Sequence, residues 1–387
     1  MESANLDHKK ILVISYGHLA DTMAAIPGLR SLRAALPSAR IHVLALDSAR
    51  PILAGCPYID QLITWRDFQH KGSRFARAEK LALIAALGLR LRSHQYDATL
   101  VFHRSAGAMR RLAVAIGSPI RAGIDYGGDG YTHPVPADSS AGSSRAENRR
   151  VLAAIGVQED GGPVELWTQA SDEALAEEMV GGQPHPRIGL HPGSDWSCQQ
   201  WHPRAFAQVG RDLQALTSAR IVITGAPGEE DLEAEIAAGL PEPPIRACGR
   251  TTFGQFVEVV RRLDVLICVN SAAAAVARTV GTPAVVLLGL EDARYTEAFD
   301  GNSVRVVQPQ ATVTGGWCEF GRWGVLSGCN SPICRGLGGL GALDPQVVVR
   351  SALDLLADPV RGTRAQIFGT EPAPVHQVPI GSRQGRP

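Results

Sequence analysis

The stretch VLICVNSAAAAVARTVGTPAVVLLG, residues 265–289, decides the fold class. It opens with an apolar run of the length of a buried strand. It continues as an alanine-rich segment of helical character that ends at Gly281, and it closes with a second apolar run. Continuous apolar strands joined by a helix are typical of a parallel sheet that is covered on both faces. The stretch therefore predicts a strand–helix–strand unit of an α/β protein.

The same alternation of apolar strands and amphipathic helices runs through both halves of the chain. The predicted strands are ILVISY, IHVLAL, QLITW and ATLVFH in the first half, and RIGLHP, ARIVITG, DVLICVN and PAVVLLG in the second. Residues 127–144, rich in Gly, Ser, Pro and Asp, predict a loop, and GGQPHP (181–186) is a cluster of breakers between the halves. We predict two doubly wound, Rossmann-like domains, 1–182 and 183–361, and a disordered tail, 362–387.

The composition excludes several classes of protein. The chain has 387 residues, of which 45% are hydrophobic and 20% charged, so it can bury ample cores. Its 38 basic and 38 acidic residues give a formal net charge of +0, which predicts no global attraction to nucleic acid but leaves peripheral membrane contact open. No apolar run approaches the roughly 20 residues of a membrane span. The N-terminus MESANLDHKK is too polar for a secretory signal, so we expect a cytoplasmic protein.

An acid stands at the first strand-to-helix joint. In GHLADTMAAIP, residues 17–27, Asp21 lies among small and apolar residues, directly after the strand ILVISY. Asp21 can cap the helix, because carboxylates accept hydrogen bonds from the free N–H groups of a first helical turn. It can also accept a proton from a substrate. The residues alone leave both roles open.

Three further strand-to-helix joints lie in the second half. HPGSDWSCQQWHPRAF (191–206) starts with a small-residue turn that can present backbone N–H groups to an anion. The glycines of ITGAPGEEDL (223–232) allow close backbone approach, and Glu229 suits either the helix dipole or a ribose hydroxyl. Asn270 and Ser271 head the alanine-rich helix, either as caps or as a phosphate site. Ordinary turns and caps explain these features equally well.

These segments, in this order, resemble glycosyltransferase family nine, the ADP-heptose glycosyltransferases. The first family motif is an acid-containing joint before a proline that opens a Leu/Arg-rich helix. The second is a Pro-Gly turn before a Trp-Pro-like helix start, and the third is a Thr-Gly turn followed by Glu. A Gly-Lys-Thr-like segment and an Asp-Thr-Gly helix start complete the pattern. The corresponding stretches here are ADTMAAIPGLRSLRAALPSARIHVL, HPGSDWSCQQWHPRAF, TGAPGEED, CGRTTFGQF and NSA. The resemblance covers residues 9–357.

The resemblance implies a GT-B fold, in which two Rossmann-like domains face a central cleft, the first for the acceptor and the second for the nucleotide sugar. It implies inverting transfer of a heptose or related sugar from an ADP-sugar, so we expect no metal and no cofactor besides the donor. By position, Asp21 is the carboxylate that removes the acceptor's proton. The donor-binding residues that it implies are Pro192, Gly193, Ser194, Gln199, Thr224, Gly225, Glu229, Arg250, Thr251, Asn270, Ser271 and Ala272.

The donor site departs from the family pattern. Ala20 replaces a Gly before the acid, and Gln199 replaces a basic residue that contacts the donor phosphates in the family. Residues 270–272 read Asn-Ser-Ala in place of Asp-Thr-Gly, and Ala275 replaces a His. The site thus keeps hydrogen-bonding groups but loses charge. Arg250 is a candidate for part of the missing positive charge. The departures fit either an altered donor or a catalytically weak relative, and we favour an active enzyme.

The acceptor is open between the core of lipopolysaccharide and a small-molecule metabolite such as an aminoglycoside-like compound. The candidate acceptor-binding residues are His18, His103, Arg104 and Arg121. The basic ones could equally form a solvated helix face. Two further functions stay open: a nucleotide-sugar-binding protein without turnover, and a nucleotide-sugar epimerase of related fold.

The seven cysteines divide into two groups. Cys56, Cys198, Cys248 and Cys268 stand alone in apolar or small-residue surroundings, which predicts buried structural thiols. The other three, Cys318, Cys329 and Cys334, lie in a Gly/Trp-rich segment. Their wide spacing falls short of the paired cysteines of a zinc site, so we expect thiols that are structural or that line a substrate.

Overall fold

The computed structural model describes residues 6–65, 76–102, 107–138, 143–194, 199–289, 303–309, 339–357 and 378–379. The strands are β1 Lys10–Ser15, β2 Arg40–Leu46, β3 Gln61–Trp65, β4 Ala98–Val101, β5 Ile120–Asp125, β6 His133–Pro136, β7 Arg187–His191, β8 Arg220–Ile223, β9 Ile245–Arg246, β10 Val265–Val269, β11 Ala284–Leu287, β12 Val304–Val307 and β13 Val378–Pro379. The α-helices are α1 Leu19–Ala35, α2 Arg50–Leu53, α3 Ala76–Arg92, α4 Ala108–Ile116, α5 Ser144–Ala154, α6 Ala170–Ala176, α7 Pro203–Thr217, α8 Glu230–Ala238, α9 Phe253–Arg261, α10 Ala272–Val280 and α11 Pro345–Ala357. No described helix is long and apolar enough to cross a membrane.

The first unit comprises Met1–Glu165 and Thr370–Pro387 and is built on one parallel sheet. Its strand order is β13-β3-β2-β1-β4-β5-β6. Strand β1 is therefore central. Strands β2, β3 and β13 lie on one side of it, and β4, β5 and β6 lie on the other. Residues 11–15 of β1 are buried because helices cover the sheet, which explains the continuous apolar run in the sequence.

The second unit, Leu166–Gly369, repeats this plan. Its order, β12-β11-β10-β7-β8-β9, again places the first strand of the unit in the centre with parallel neighbours on both sides. All residues of β10 and β11 are buried. The helix between them ends at Gly281, which has φ +77°, a conformation that glycine adopts without steric cost. The strand–helix–strand unit that residues 265–289 predict is confirmed.

All eight predicted strands form, but β5, β6, β9, β12 and β13 are additional. Strand β6 contradicts the prediction of a loop over 127–144, because His133–Pro136 pairs in parallel with β5. Two of its four residues are prolines, which lack the N–H that a central strand needs. Pro134 and Pro136 are tolerated because β6 lies at the edge of the sheet. Of the predicted tail, the structure describes β13, which pairs with β3, and the rest of 362–387 lies outside the described residues.

The segment that joins the units packs with the second one, starting at Leu166. The Thr168 hydroxyl donates to the carboxylate of Glu258 at 2.7 Å, and Arg262 donates to Glu177 at 3.0 Å. Helix α6, which lies between Thr168 and Glu177 in the sequence, packs on α9. The sequence-based boundary at 182/183 follows the breaker cluster, whereas these contacts place the division at 165/166.

A buried aromatic cluster lies at the amino-terminal edge of the first sheet. His42 of β2 is 7% exposed, and its Nδ1 lies 3.0 Å from the Tyr96 hydroxyl. The ring of His94 stacks on that of Tyr96, and the Lys10 ammonium lies 5.3 Å from the centre of the Tyr96 ring. Burial, and then the charge of Lys10, lower the pKa of His42 to about 4. His42 is therefore neutral in the folded protein at neutral pH.

This burial predicts a pH-dependent loss of stability in the first unit. The folded pKa of His42 is about 4 and that of an unfolded histidine is about 6.5, so the unfolded chain takes up a proton first as the pH falls. We expect the first unit to lose about 2 kcal/mol between pH 6.5 and pH 4 through this group. His42→Asn removes the group that titrates. The free energy of unfolding of the first unit, measured by amide hydrogen exchange of β2, should then change less between pH 6.5 and pH 4.

The exposed His8 provides a matched control. His8→Asn should reproduce the wild-type dependence on pH. An unchanged pH dependence in His42→Asn would show that His42 is not the source of the loss.

Candidate active site

The carboxylate of Asp21 lies at the start of α1, after the carboxyl end of the central strand β1. One carboxylate oxygen, Oδ2, accepts a hydrogen bond from the backbone N–H of His18 at 3.0 Å. The other, Oδ1, accepts from the hydroxyl of Ser144 at 2.7 Å. A Cβ atom added at Gly17 would lie 2.6 Å from the Asp21 Cβ, so only glycine leaves room for this side chain. Asp21 does contribute to the helix start, and a ligand can still use its remaining lone pairs.

Helix α5 brings Ser144 to this position because it packs closely on α1. Gly28 of α1 permits that packing: an added Cβ would lie 3.3 Å from a methyl group of Leu152 and 3.1 Å from the ring of Phe102. The buried amide of Asn148 donates to the carbonyl of Ala24 at 3.4 Å. Both contacts join the two helices along their length.

Helix α1 begins earlier than the family pattern implies. It runs from Leu19, and Pro27 lies inside it rather than at its start. The missing N–H of Pro27 costs one helical hydrogen bond. The carbonyl of Pro27 accepts a hydrogen bond from the Ser31 hydroxyl at 2.9 Å. The early start is what places Asp21 in the first turn.

The predicted acceptor residues that the structure describes lie in different places. His18 is exposed at the N-terminal cap of α1, beside Asp21. Arg121 lies near the amino end of β5, where its guanidinium donates to the carbonyls of Gly130 at 2.7 Å and Ser118 at 2.5 Å. His103 and Arg104 lie outside the described residues.

In the second unit, the three predicted donor turns follow three adjacent strands. Strand β7 is hydrogen-bonded to β8 on one side and to β10 on the other, and all three run parallel. Their carboxyl ends therefore lie at one edge of the sheet. That edge carries Pro192, Gly193 and Ser194 after β7, Thr224 and Gly225 after β8, and Asn270, Ser271 and Ala272 after β10. The strand order reverses between β7 and β10, and open α/β sheets bind ligands at such points.

Glu229 lies against the glycines of two of these turns. Its Oε2 accepts from the backbone N–H of Ala226 at 2.8 Å. A Cβ added at Gly193 would lie 2.1 Å from both carboxylate oxygens, and one added at Gly225 would lie 2.7 Å from Oε2. These two glycines therefore make the space that the carboxylate occupies.

His191, which the sequence analysis does not single out, lies at the end of β7 in the same region. Its Nδ1 lies 3.0 Å from the Thr224 hydroxyl, and its ring packs on Phe256 with centroids 5.4 Å apart. Burial lowers the pKa of His191 to about 4. The imidazole is thus neutral, and it links the turns after β7 and β8.

Ser271 occupies the N-terminal cap of α10, but its hydroxyl makes no cap hydrogen bond. The Oγ atom is buried and has no hydrogen-bond partner among the described residues. Most buried polar groups in proteins are paired, and an unpaired one costs free energy. A hydroxyl of this kind beside the free N–H groups of a helix N-terminus is suited to a bound anion.

The other predicted donor residues surround this edge. The Ser194 hydroxyl donates to the side-chain carbonyl of Gln199 at 3.0 Å, so these two residues are brought together. Arg250 is exposed next to Gly249, which has φ +66°, and Thr251 is half-buried. Of the predicted buried thiols, Cys56, Cys248 and Cys268 are buried as expected. Cys198 and the cluster of Cys318, Cys329 and Cys334 lie outside the described residues.

Comparison with known proteins decides the family. The model described as glycosyltransferase family 9 (heptosyltransferase) matches residues 84–314, more than half of the chain. The chain belongs to glycosyltransferase family 9. It is 27% identical to lipopolysaccharide heptosyltransferase 3 of Escherichia coli over 301 residues, which cover 74% of this chain and 85% of that protein.

Solved structures of this family share the fold. The family 9 glycosyltransferase of Veillonella parvula superposes with a TM-score of 0.73 at 20% identity, covering 92% of this chain and 99% of that one. For the E. coli ADP-heptose lps heptosyltransferase II the TM-score is 0.63 at 21% identity, with 90% and 98% covered. For E. coli heptosyltransferase WaaC with ADP it is 0.60 at 14% identity, with 89% and 99% covered. The predicted GT-B fold and glycosyltransferase class are confirmed.

The packing of Glu229 against Gly193 predicts the effect of a single methyl group. Gly193→Ala should push the carboxylate away and break its hydrogen bond to the Ala226 N–H. We expect the free energy of unfolding of the second unit to fall by about 1 kcal/mol and the Ala226 amide to exchange faster.

Gly182→Ala is the matched control, because a Cβ at that position meets no atom within 4 Å. It should leave both quantities unchanged or slightly stabilise the protein. Equal effects of the two substitutions would contradict the proposed packing.

Proposed function

We propose that this protein transfers a heptose, or a closely related sugar, from an ADP-sugar to a hydroxyl group of the lipopolysaccharide core, with inversion at the anomeric carbon and without a metal ion. One observation carries the proposal: the Asp21 carboxylate is fixed through both oxygens at the carboxyl end of the central strand of the first unit. The names of the relatives, two of which refer to lipopolysaccharide, support the donor and the acceptor.

The proposed reaction is a single displacement. The acceptor oxygen attacks the anomeric carbon and forms the new glycosidic bond, while the bond from that carbon to the phosphate oxygen breaks. The hydroxyl proton passes to the Asp21 carboxylate, and ADP leaves with the electron pair. A sugar hydroxyl is a weak nucleophile, so a carboxylate that accepts the proton during attack lowers the barrier.

The second unit would bind the donor and stabilise the leaving diphosphate. The first N–H groups of α10 and the Ser271 hydroxyl, which has no partner among the described residues, can donate hydrogen bonds to the diphosphate and stabilise its negative charge. The carboxylate of Glu229 can accept hydrogen bonds from ribose hydroxyls, as acids at such turns do. None of these groups is a cation, and Arg250 is the candidate for a positive charge.

Asp21→Asn tests the proposed base. Asparagine keeps the size of the side chain and an oxygen that can accept from the His18 N–H, but it cannot take up the proton. We expect kcat to fall by about 100- to 10,000-fold, while the affinity for ADP in calorimetry stays unchanged.

The exposed Asp129, between β5 and β6, offers the same substitution at a carboxylate that does not follow the central strand. Asp129→Asn should keep wild-type activity. If Asp21→Asn kept the wild-type rate, Asp21 would not be the base.

Ser271→Ala tests the proposed donor site. Because the hydroxyl has no partner among the described residues, removing it costs the free protein no hydrogen bond, and Tm should stay the same or rise. The affinity for ADP should fall about 10- to 100-fold if that hydroxyl binds a phosphate oxygen. Ser351→Ala, which removes a hydroxyl from α11, should leave the affinity unchanged. An unchanged affinity in Ser271→Ala would rule out this contact.

A panel of nucleotide sugars and acceptors tests the substrates. ADP-heptose should raise Tm more than UDP- or GDP-sugars, since a ligand that binds the folded state stabilises it. Transfer should occur to purified lipopolysaccharide core, should continue after dialysis against EDTA, and should give the inverted anomer by NMR. Transfer to a small-molecule acceptor but not to lipopolysaccharide core would show that the proposed acceptor is wrong. Turnover of the donor without any acceptor would indicate an epimerase, and binding without turnover would indicate a binding protein.

A further inference from the structure

Ser144 holds the second oxygen of the Asp21 carboxylate, although 123 residues separate the two in sequence. We propose that Ser144 is a positioning residue for the catalytic base, and this proposal rests on the proposed function of Asp21. The Ser144 hydroxyl donates to Oδ1 at 2.7 Å, while the His18 backbone N–H donates to Oδ2 at 3.0 Å. Each carboxylate oxygen is thus held from a different helix.

The two hydrogen bonds fix the plane of the carboxylate. With only the His18 N–H in place, the group could rotate about its Cβ–Cγ bond and present either oxygen in several directions. With both donors in place, rotation breaks at least one hydrogen bond to a charged group, and such hydrogen bonds are stronger than neutral ones. A carboxylate has about four lone-pair sites, so two remain for the acceptor's proton. A base held in one orientation reacts faster than one that must first be oriented.

The two adjacent serines at the start of α5 have different hydrogen-bond partners. Ser143 is the N-terminal cap, and its side chain accepts a hydrogen bond from the backbone N–H of Ala146 at 3.1 Å. Ser144 is therefore free of the capping role, and its hydroxyl is directed to Asp21. Helix α5, which carries Ser144, is held against α1, since the buried amide of Asn148 donates to the carbonyl of Ala24 in α1.

The adjacent serines also provide the test, because one can be removed without the other. Ser144→Ala should lower kcat by about 10- to 100-fold while KM for the donor changes less than about twofold. Ser144→Thr keeps a hydroxyl and should restore most of the rate. Ser143→Ala removes the cap and should lower Tm, but it should leave kcat near the wild-type value. In a protein that already carries Asp21→Asn, Ser144→Ala should have no further effect on the rate.

Two results would overturn the proposal. The first is a kcat in Ser144→Ala within about twofold of the wild type. The second is an equal loss of kcat in Ser143→Ala, which would mean that both serines act only through the stability of α5. These results are distinct from a failure of the proposed function, which would appear as wild-type activity in Asp21→Asn.

Discussion

In each unit, the strand that comes first in the chain lies in the middle of a parallel sheet, with later strands added on both sides. All carboxyl ends of parallel strands lie at one edge, so the turn after the central strand is flanked by the turns of its neighbours. Asp21 follows the central strand β1, and Gly193 follows the central strand β7. This topology gathers residues that lie far apart in sequence, such as Gly193, Thr224 and Ser271, at one place.

The carboxylates of the proposed base, Asp21, and of the proposed donor site, Glu229, are held in the same local way. Asp21 accepts from a backbone N–H three residues earlier, that of His18, and Glu229 does the same with Ala226. Each also requires glycine beside it, Gly17 in one unit and Gly193 in the other, because a Cβ would overlap the acid. In α1 the carboxylate therefore contributes to the helix start, whereas Glu229, at the N-terminal cap of α8, holds the turn that precedes its helix. A role as a helix cap and a role in chemistry do not exclude each other.

The sequence predicts the features that local patterns determine, such as the buried strands, the helix end at Gly281 and the position of Asp21 at the first strand-to-helix joint. It does not predict the features that depend on packing between distant segments. The sequence does not indicate strand β6, because the stretch that contains it is rich in proline and glycine. An edge strand tolerates such residues, whereas a central strand does not. Ser144 lies at the end of the predicted loop 127–144, and its contact with Asp21 depends on how closely α5 packs on α1. Likewise, the sequence predicts Ser271 as a cap or as part of a phosphate site, and only the structure shows that its buried hydroxyl has no partner among the described residues.

The proposed donor site in the second unit lacks charged side chains that the family pattern has. Gln199, Asn270 and Ala275 stand where the family pattern has charged groups or an imidazole, yet the positions still lie along strand ends and helix starts. A helix N-terminus carries a partial positive charge from its own peptide dipoles, which does not depend on side-chain charge. Half-buried His191 is neutral as well and links two of the turns through its contact with Thr224. Loss of charged side chains therefore removes part of the attraction for a diphosphate but leaves the part that the backbone supplies.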